Sequence, residues 1–179
     1  MVAYLADRGV DGATVLEIGG GVGDIQIELL RRGASRSTNL ELVDTYDAEA
    51  AALAGRAGVS DRMTRRQLDI AADPEAVEVH DIVVMHRVVC CYPDYEKLLA
   101  TAADHARKLL VFSHPPRNWA SRLAVGAENL GIRLLGGSFK SYTHPPAAMV
   151  AAAEGREMRA DFRARGPVWR IVGLSRDAA

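Results

Sequence analysis

An α/β fold with a doubly wound, mostly parallel sheet and a closing antiparallel hairpin is the architecture that this 179-residue sequence predicts. Three observations carry the expectation. Short apolar runs alternate with stretches whose apolar residues recur at helical spacing. The first run leads into four glycines in five residues, Gly19-Gly20-Gly21-Val22-Gly23, and then into a helical pattern. The last two runs, 158–165 and 168–174, are separated by Gly166-Pro167, as in a hairpin. Five strand–helix units and a hairpin make seven strands in one sheet, with helices on both faces.

In chain order, Val2, Leu5 and Ala6 mark a helical turn or two, broken by Gly9 and Asp11-Gly12. The first strand is Thr14 to Ile18; the helix after the glycines runs from about Asp24 to Arg32 and stops at Gly33. The second strand is expected over Thr38 to Leu42, followed by a helix over Tyr46 to Ala57 that ends at Gly58. A polar third strand, Arg62 to Leu68, belongs near a sheet edge, and Asp73-Pro74 marks a turn with a short helix after it. Asp81 to Met85 is apolar and β-branched throughout, which places it centrally. Asp94 is the natural N-cap of the next helix, which carries Leu98, Leu99, Ala102 and Ala106. A fifth strand spans Lys108 to Ser113, a helix runs from about Asn118 to Leu135, and a short helix follows His144-Pro145-Pro146. The helix carrying Trp119, Leu123, Leu130 and Leu134 is either a lid or a cover for the sheet. One domain over residues 1–179 is expected.

The balance of charge excludes several classes of partner. A formal net charge of −1 makes no electrostatic case for nucleic acid or an anionic membrane surface. No apolar run approaches the roughly 20 residues that span a bilayer. No basic segment followed by an apolar stretch opens the chain, so a cytoplasmic location is expected. The two cysteines, Cys90 and Cys91, are adjacent, and neither a second Cys/His pair nor metal-ligand spacing accompanies them. Buried small apolar residues is the better reading of the pair, and no metal is expected.

Strand, glycine turn and helix form a unit in which backbone N–H groups and a helix N-terminus can approach a ligand closely. A dinucleotide fingerprint needs a third glycine at fixed spacing. From Gly19 that position is Asp24, and from Gly21 it is Gln26, so the fingerprint fails. A phosphate-binding P-loop would need Gly-Lys-Ser/Thr, and none follows.

Glu17-Ile18-Gly19-Gly20-Gly21-Val22-Gly23 resembles the first motif of the class I S-adenosylmethionine (SAM)-dependent methyltransferases: an acidic residue, one spacer, and a loop with alternate glycines. The resemblance extends over roughly residues 10 to 175. It implies a Rossmann-like fold, SAM as cofactor, and an acidic residue at the end of the second strand that holds the ribose hydroxyls. Glu41, followed by Leu42, occupies that place, although Asp44 lies only three residues on and has a capping or solvated reading. The resemblance also puts Asp69-Ile70 near the adenine amine, while Asp at a strand end is equally an ordinary turn former. A carboxylate such as Glu41 accepts from a diol more strongly than a neutral group would. The cofactor set implied is Glu17, Gly19, Gly20, Gly21, Gly23, Glu41, Leu42, Asp69, Ile70 and His86. Glu17 either organises the loop or meets the cofactor's ammonium through water.

The acceptor side is expected in His86-Arg87-Val88-Val89-Cys90-Cys91-Tyr92-Pro93-Asp94 and in Ser113-His114-Pro115-Pro116-Arg117. His86 is a candidate base or a support for the cofactor loop, and His114 and His144 are further candidate bases. Arg87, Tyr92, His114 and Arg117 are candidate acceptor contacts; Arg87 has the alternative of satisfying loop carbonyls, and His114 that of a solvated turn histidine. Trp169 reads as core, and the Arg-rich stretch from Arg156 to Arg170, broken by Glu157 and Asp161, as a solvated strand face. These loops bear a distant resemblance to those of porphyrin and quinone methyltransferases, which implies a small-molecule acceptor. Members of this kind carry more helical sequence before the first strand than residues 1–13 supply. An open pocket, a shortened chain, or a homo-oligomer or partner subunit that closes the pocket is therefore expected. Two other classes stay open: a SAM-binding sensor or partner subunit without turnover, and a nicotinamide-dependent oxidoreductase, disfavoured by Asp24 and Gln26. A nucleic-acid methyltransferase is disfavoured too, because both Pro-Pro pairs follow histidine rather than Asn or Asp.

Overall fold

The computed structural model describes residues 1–166 and 168–176. The chain forms α1 (Val2–Ala6), β1 (Thr14–Ile18), α2 (Asp24–Arg31), β2 (Arg36–Glu41), α3 (Asp47–Ala57), β3 (Met63–Gln67), β4 (His80–Met85), α4 (Tyr95–Asp104), β5 (Ala106–His114), α5 (Trp119–Leu134), α6 (Pro146–Glu154), β6 (Met158–Arg165) and β7 (Arg170–Arg176). The seven strands make one sheet in the order β3-β2-β1-β4-β5-β7-β6. β1 to β5 are parallel, and β7 runs antiparallel to both neighbours. The fold is therefore the expected Rossmann-like α/β sheet. Strand order reverses between β1 and β4, which opens a crevice beyond their carboxyl ends.

Alternation along the strands divides the core into two layers. Leu16, Val83, Met85, Leu110 and Phe112 pack on one face beneath α4 and α6. Val15, Ile82, Val84, Leu109 and Val111 pack on the other with Leu5 of α1 and Ile27, Leu29 and Leu30 of α2. β4 is buried along its whole length and lies at the sheet's centre, whereas β3 is the polar edge strand.

Where boundaries differ from the sequence reading, pairing rather than polarity decides them. β2 starts at Arg36 because Thr14 of β1 pairs with it, although Arg36 and Ser37 carry no apolar signal. β5 continues to His114, which pairs with Arg170. The final strand accordingly begins at Arg170, and Trp169 precedes it. Of the expected Gly166-Pro167 turn, Pro167 lies outside the described residues; the Gly166 N–H donates to the Trp169 carbonyl at 2.9 Å. Asp94 caps α4 by accepting from the Lys97 N–H, and Asn118 caps α5 in a reciprocal pair with Ser121.

Tyr4 fastens α1 to the far side of the sheet. Its ring stacks on Phe162 at 4.5 Å, its hydroxyl donates to Asp161 at 2.9 Å, and its Cε1 lies 2.7 Å from where a Cβ on Gly173 would stand. Gly173 is thus a strand glycine kept for the close approach of another side chain. Gly173→Ala is expected to destabilise by about 1–3 kcal/mol through overpacking. Urea unfolding checks this, and in the Tyr4→Ala background the same substitution should cost clearly less.

Candidate active site

The glycine loop is a bridge from the buried end of β1 to the N-terminus of α2. Gly19, Gly21 and Gly23 have φ of +66°, +56° and +82°, a region that side-chain-bearing residues rarely adopt. Each glycine also answers a local constraint. A Cβ on Gly19 would collide with Val88 of the β4–α4 loop, and one on Gly20 would stand 2.8 Å from the Glu17 carboxyl. At Gly21 the same space is open, so the loop presents bare backbone on its outer side.

Side chains of the neighbouring strands hold this loop. The Gly20 N–H donates to Asn39 Oδ1 of β2 at 3.2 Å, and the Gly21 N–H donates to Glu41 at the end of β2. Arg65 of edge strand β3 donates to the Gly21 carbonyl at 2.7 Å and pairs with Asp47 at the start of α3. Asn39 and Arg65 were not expected from sequence. They belong to no motif, and only the β1-β2-β3 register brings them under the loop.

Beyond these strand ends lies a cleft of about 460 Å³, within the range usual for small-molecule sites. Gly19, Gly21, Glu41 and Leu42 line one part, Asp69 and Ile70 another, and Arg87, Val88, Cys91 and Tyr92 the wall formed by the β4–α4 loop. Phe139, from the loop after α5, closes one side. Asp44 is not among the lining residues. The Asp69 carboxylate accepts from Tyr92 Oη at 2.9 Å and from its own turn at the Ala71 N–H. Burial, and then this bond to Asp69, raise the Tyr92 phenol to about 12, so it stays a donor.

Several expected site residues lie elsewhere, and Gly20 and Gly23 belong to the loop without lining the cleft. Glu17 is 1% exposed and sits beneath the loop rather than on the cleft. His86 is half-buried on the α2 face, with Nδ1 2.9 Å from Ser113 Oγ and its ring 6.3 Å from that of Trp169. His114 points to the opposite face of β5, buried beside Phe112 with Nδ1 2.8 Å from the Pro115 carbonyl. Arg117 is exposed and does not line the cleft. His144 is a clamp: its Nε2 lies 2.9 Å from the Tyr92 carbonyl, and its ring is stacked on Tyr142. Burial lowers the pKa of all three histidines, with Arg87 adding to the effect at His86. Trp169 does not join the core as expected; it stands at the entry to β7, with the Arg87 guanidinium 5.3 Å from its ring centre.

The paired cysteines have split roles. Cys90 is buried, whereas Cys91 is exposed and opens onto the cleft, so the expectation of two buried residues holds only for Cys90. Their Sγ atoms are 3.6 Å apart and share one S–H bridge, which pushes Cys90 up and Cys91 down. Among the described residues no three His, Cys, Asp or Glu side chains are grouped to hold a metal ion. No helix among them is long and apolar enough to cross a membrane.

Burial is the largest influence on Glu17 and raises its carboxyl from the ordinary value to about 8, opposed by the neighbouring Gln26 and aided by Asp24 and Glu41. In unfolded chain the same group ionises near pH 4. Between about pH 4 and 8 unfolding therefore releases a proton, and stability falls as pH rises across that window. Glu17→Gln should remove this component, a few kcal/mol at full extent. Urea unfolding of both proteins over that range should show the variant gaining on the parent as pH rises.

The residues present suit an adenosine-type ligand: an open backbone loop, a carboxylate for a diol at Glu41, and a second carboxylate at Asp69. The family model described as a methyltransferase domain matches residues 16–109, just over half of the chain. Among curated protein sequences none matches. Solved structures share the fold. Magnesium protoporphyrin IX methyltransferase from Synechocystis PCC 6803, with bound SAH, superposes with a TM-score of 0.78 at 22% identity, over 98% of this chain and 80% of that one. An O-methyltransferase family protein from Burkholderia thailandensis gives 0.78 at 16%, over 98% and 55%. A SAM-dependent methyltransferase from Mesorhizobium loti gives 0.70 at 17%, over 98% of both. With the glycine loop, the acidic end of β2 and the reversed strand order in place, this chain belongs to the class I SAM-dependent methyltransferase family.

Proposed function

We propose that this enzyme transfers the methyl group of SAM by in-line displacement to a small molecule that carries an anionic group on a planar ring. The observation that carries the reading is the mixed charge of the cleft lining, in which the carboxylate residues Glu41 and Asp69 are joined by Arg87, whose guanidinium lies 5.3 Å from the Trp169 ring centre. SAM supplies a methyl group already activated by its sulfonium leaving group. The protein's task is then to align the acceptor and exclude water.

Arg87 suits the acceptor role for three reasons. It lines the cleft, its charge is not spent on a carboxylate ion pair among those found in the described residues, and its backbone is held at φ +62°. Residues held in that region cost roughly 1–3 kcal/mol and concentrate at functional sites. Ser113 of β5 fixes the conformation by accepting from the Arg87 N–H at 2.9 Å. Trp169 offers a flat apolar face beside the guanidinium. A planar acceptor with a carboxylate satisfies both, and a carboxylate nucleophile needs no base.

His86 does not line the cleft; with its Nδ1 2.9 Å from Ser113 Oγ it supports, from behind, the hydroxyl that holds Arg87. The O-methyltransferase named above supports an oxygen acceptor, and the Synechocystis protein is a methyltransferase of a magnesium porphyrin. Tyr92 stays with the cofactor end through Asp69, while His114 and Arg117 drop out of the proposed acceptor set.

Calorimetric titration should give micromolar affinity for S-adenosylhomocysteine and none for NADH. Glu41→Ala should weaken the former about 10–100-fold, the usual range for losing a charged acceptor. In a screen with methyl-labelled SAM, aromatic carboxylates should be the preferred acceptors. Arg87→Ala should raise acceptor KM far more than it lowers kcat. Affinity for NADH alone would sink the cofactor assignment, and equal turnover of neutral acceptors by the Arg87 variant would sink the acceptor class.

A further inference from the structure

Asp69 is fixed in direction by two partners. Its Oδ1 accepts from the Ala71 N–H at 3.0 Å, and Tyr92 Oη donates to its Oδ2 at 2.9 Å, with Oδ1 at 3.1 Å. A carboxylate on a turn would otherwise rotate freely, so these bonds set the direction of the lone pairs that remain. Tyr92 therefore governs how Asp69 meets a ligand in the cleft, which both residues line. What holds Tyr92 is a segment about fifty residues further along the chain.

That segment is the connection between α5 and α6. Its Tyr142 N–H donates to the Cys90 carbonyl at 2.7 Å, and His144 Nε2 donates to the Tyr92 carbonyl at 2.9 Å. A carbonyl can only accept, so Nε2 of His144 carries the proton. Two aromatic rings set the imidazole: Tyr142, stacked at 5.2 Å with 12° between planes, and Tyr95, at 4.3 Å. Two hydrogen bonds of 2.8 Å between Asn129 of α5 and Ser141 anchor the segment. Pro93 confines Tyr92 to extended backbone from the other side, and its φ and ψ are −108° and 126°. An apolar ring would fill the space between the two tyrosines as well. What the imidazole adds is an N–H on the backbone of a cleft residue.

We propose that His144 is a positioning residue for the cofactor: it sets Tyr92 so that the phenol turns Asp69 toward the amino group of adenine. Tyr92 and Asp69 together then make the cleft selective for a 6-amino purine. The inference rests on the reading of Asp69 as the adenine contact. An amine donates into the lone pair left on the carboxylate, whereas a purine with oxygen at that place sets lone pair against lone pair. The selectivity is therefore only as sharp as the carboxylate is fixed, and the fixing runs from α5 through Ser141, His144 and Tyr92.

Calorimetric titration with S-adenosylhomocysteine and with S-inosylhomocysteine, in which oxygen replaces the adenine amine, tests this. The parent should favour the first by at least about 100-fold. Tyr92→Phe removes one hydroxyl and keeps the ring; it should weaken S-adenosylhomocysteine about 5–10-fold and lower the preference by a similar factor. His144→Ala should do the same. His144→Gln, whose amide N–H reaches the place of Nε2, should regain most of the loss, and His144→Asn should not. In the double variant Tyr92→Phe/His144→Ala the losses should overlap rather than multiply. Gly173→Ala, destabilised at a site remote from the cleft, should leave the preference unmoved, which separates positioning from loss of stability. A preference indifferent to His144→Ala and Tyr92→Phe, losses that multiply in the double variant, or tighter binding by Tyr92→Phe would each overturn the proposal. A parent that binds no S-adenosylhomocysteine removes the cofactor reading and this proposal with it, an outcome distinct from unaffected variants of a parent that binds.

Discussion

A carboxyl group sealed from water beneath a ligand-facing loop is the constraint on which the site depends. Glu17 is the fourth residue of β1, and its side chain turns to the face covered by α2. There, at the start of that helix, it lies beside Gln26, whose side-chain oxygen accepts from Ser37 at 2.9 Å. Glu17 Oε2 and Gln26 Nε2 are both buried without a hydrogen-bond partner among the described residues. The chain above must then pass without a Cβ at Gly20, and the flanking glycines must take positive φ to complete the turn. The loop's bareness, the property that lets a ligand meet backbone directly, follows from what is buried under it. An acid held near pH 8 by burial is a cost to stability that the fold carries for the sake of this geometry.

The sheet sets the outer shape of the loop as β1 sets its base. Asn39, Glu41 and Arg65 reach Gly20 and Gly21 from β2 and β3, so a slip of β2 against β1 would move all the props together, and one of β3 against β2 would move Arg65 alone. Edge strand β3, exposed and polar, contributes little to the core. Its Arg65 nevertheless links the loop to α3 through Asp47. A polar edge strand can be retained for one such contact.

Most of the fold was legible in the sequence because its signals are local. The apolar run of β4, the glycine stop of α3 and the Asp94 cap each lie within a few residues of the structure they specify. The glycine loop was legible for the same reason. What escaped was assembled over distance. Arg65 and Asn39 acquire their roles only through strand pairing. Trp169, read as core, is displaced to the entry of β7 because β5 extends to His114 and pairs it with Arg170. His114 was expected in the cleft from its place at a strand end, yet the two-residue period of β5 sends Ser113 toward His86 and His114 to the other face. Nor does the apolar period of α5 reveal that none of its residues is fully buried.

Cofactor and acceptor ends differ in how they are built, and the difference bears on what can change in such an enzyme. The cofactor end is made by consecutive residues of one strand–loop–helix unit with two neighbouring strands bracing it, so its geometry comes with the sheet. The proposed acceptor side joins Arg87 of the β4–α4 loop, Ser113 of β5 and Trp169 before β7, segments that meet only in the finished fold. Ser113 is the hinge of that assembly: one hydroxyl is 2.9 Å from His86 Nδ1 and also receives the Arg87 N–H. It thereby holds the His86 ring and a strained, charged residue in fixed relation. On the proposed reading, substitutions at Arg87 or Trp169 alter acceptor choice without disturbing the glycine loop, because no hydrogen bond found among the described residues runs from either side chain to it. A fold organised in this way keeps one ligand constant while leaving the other free to vary.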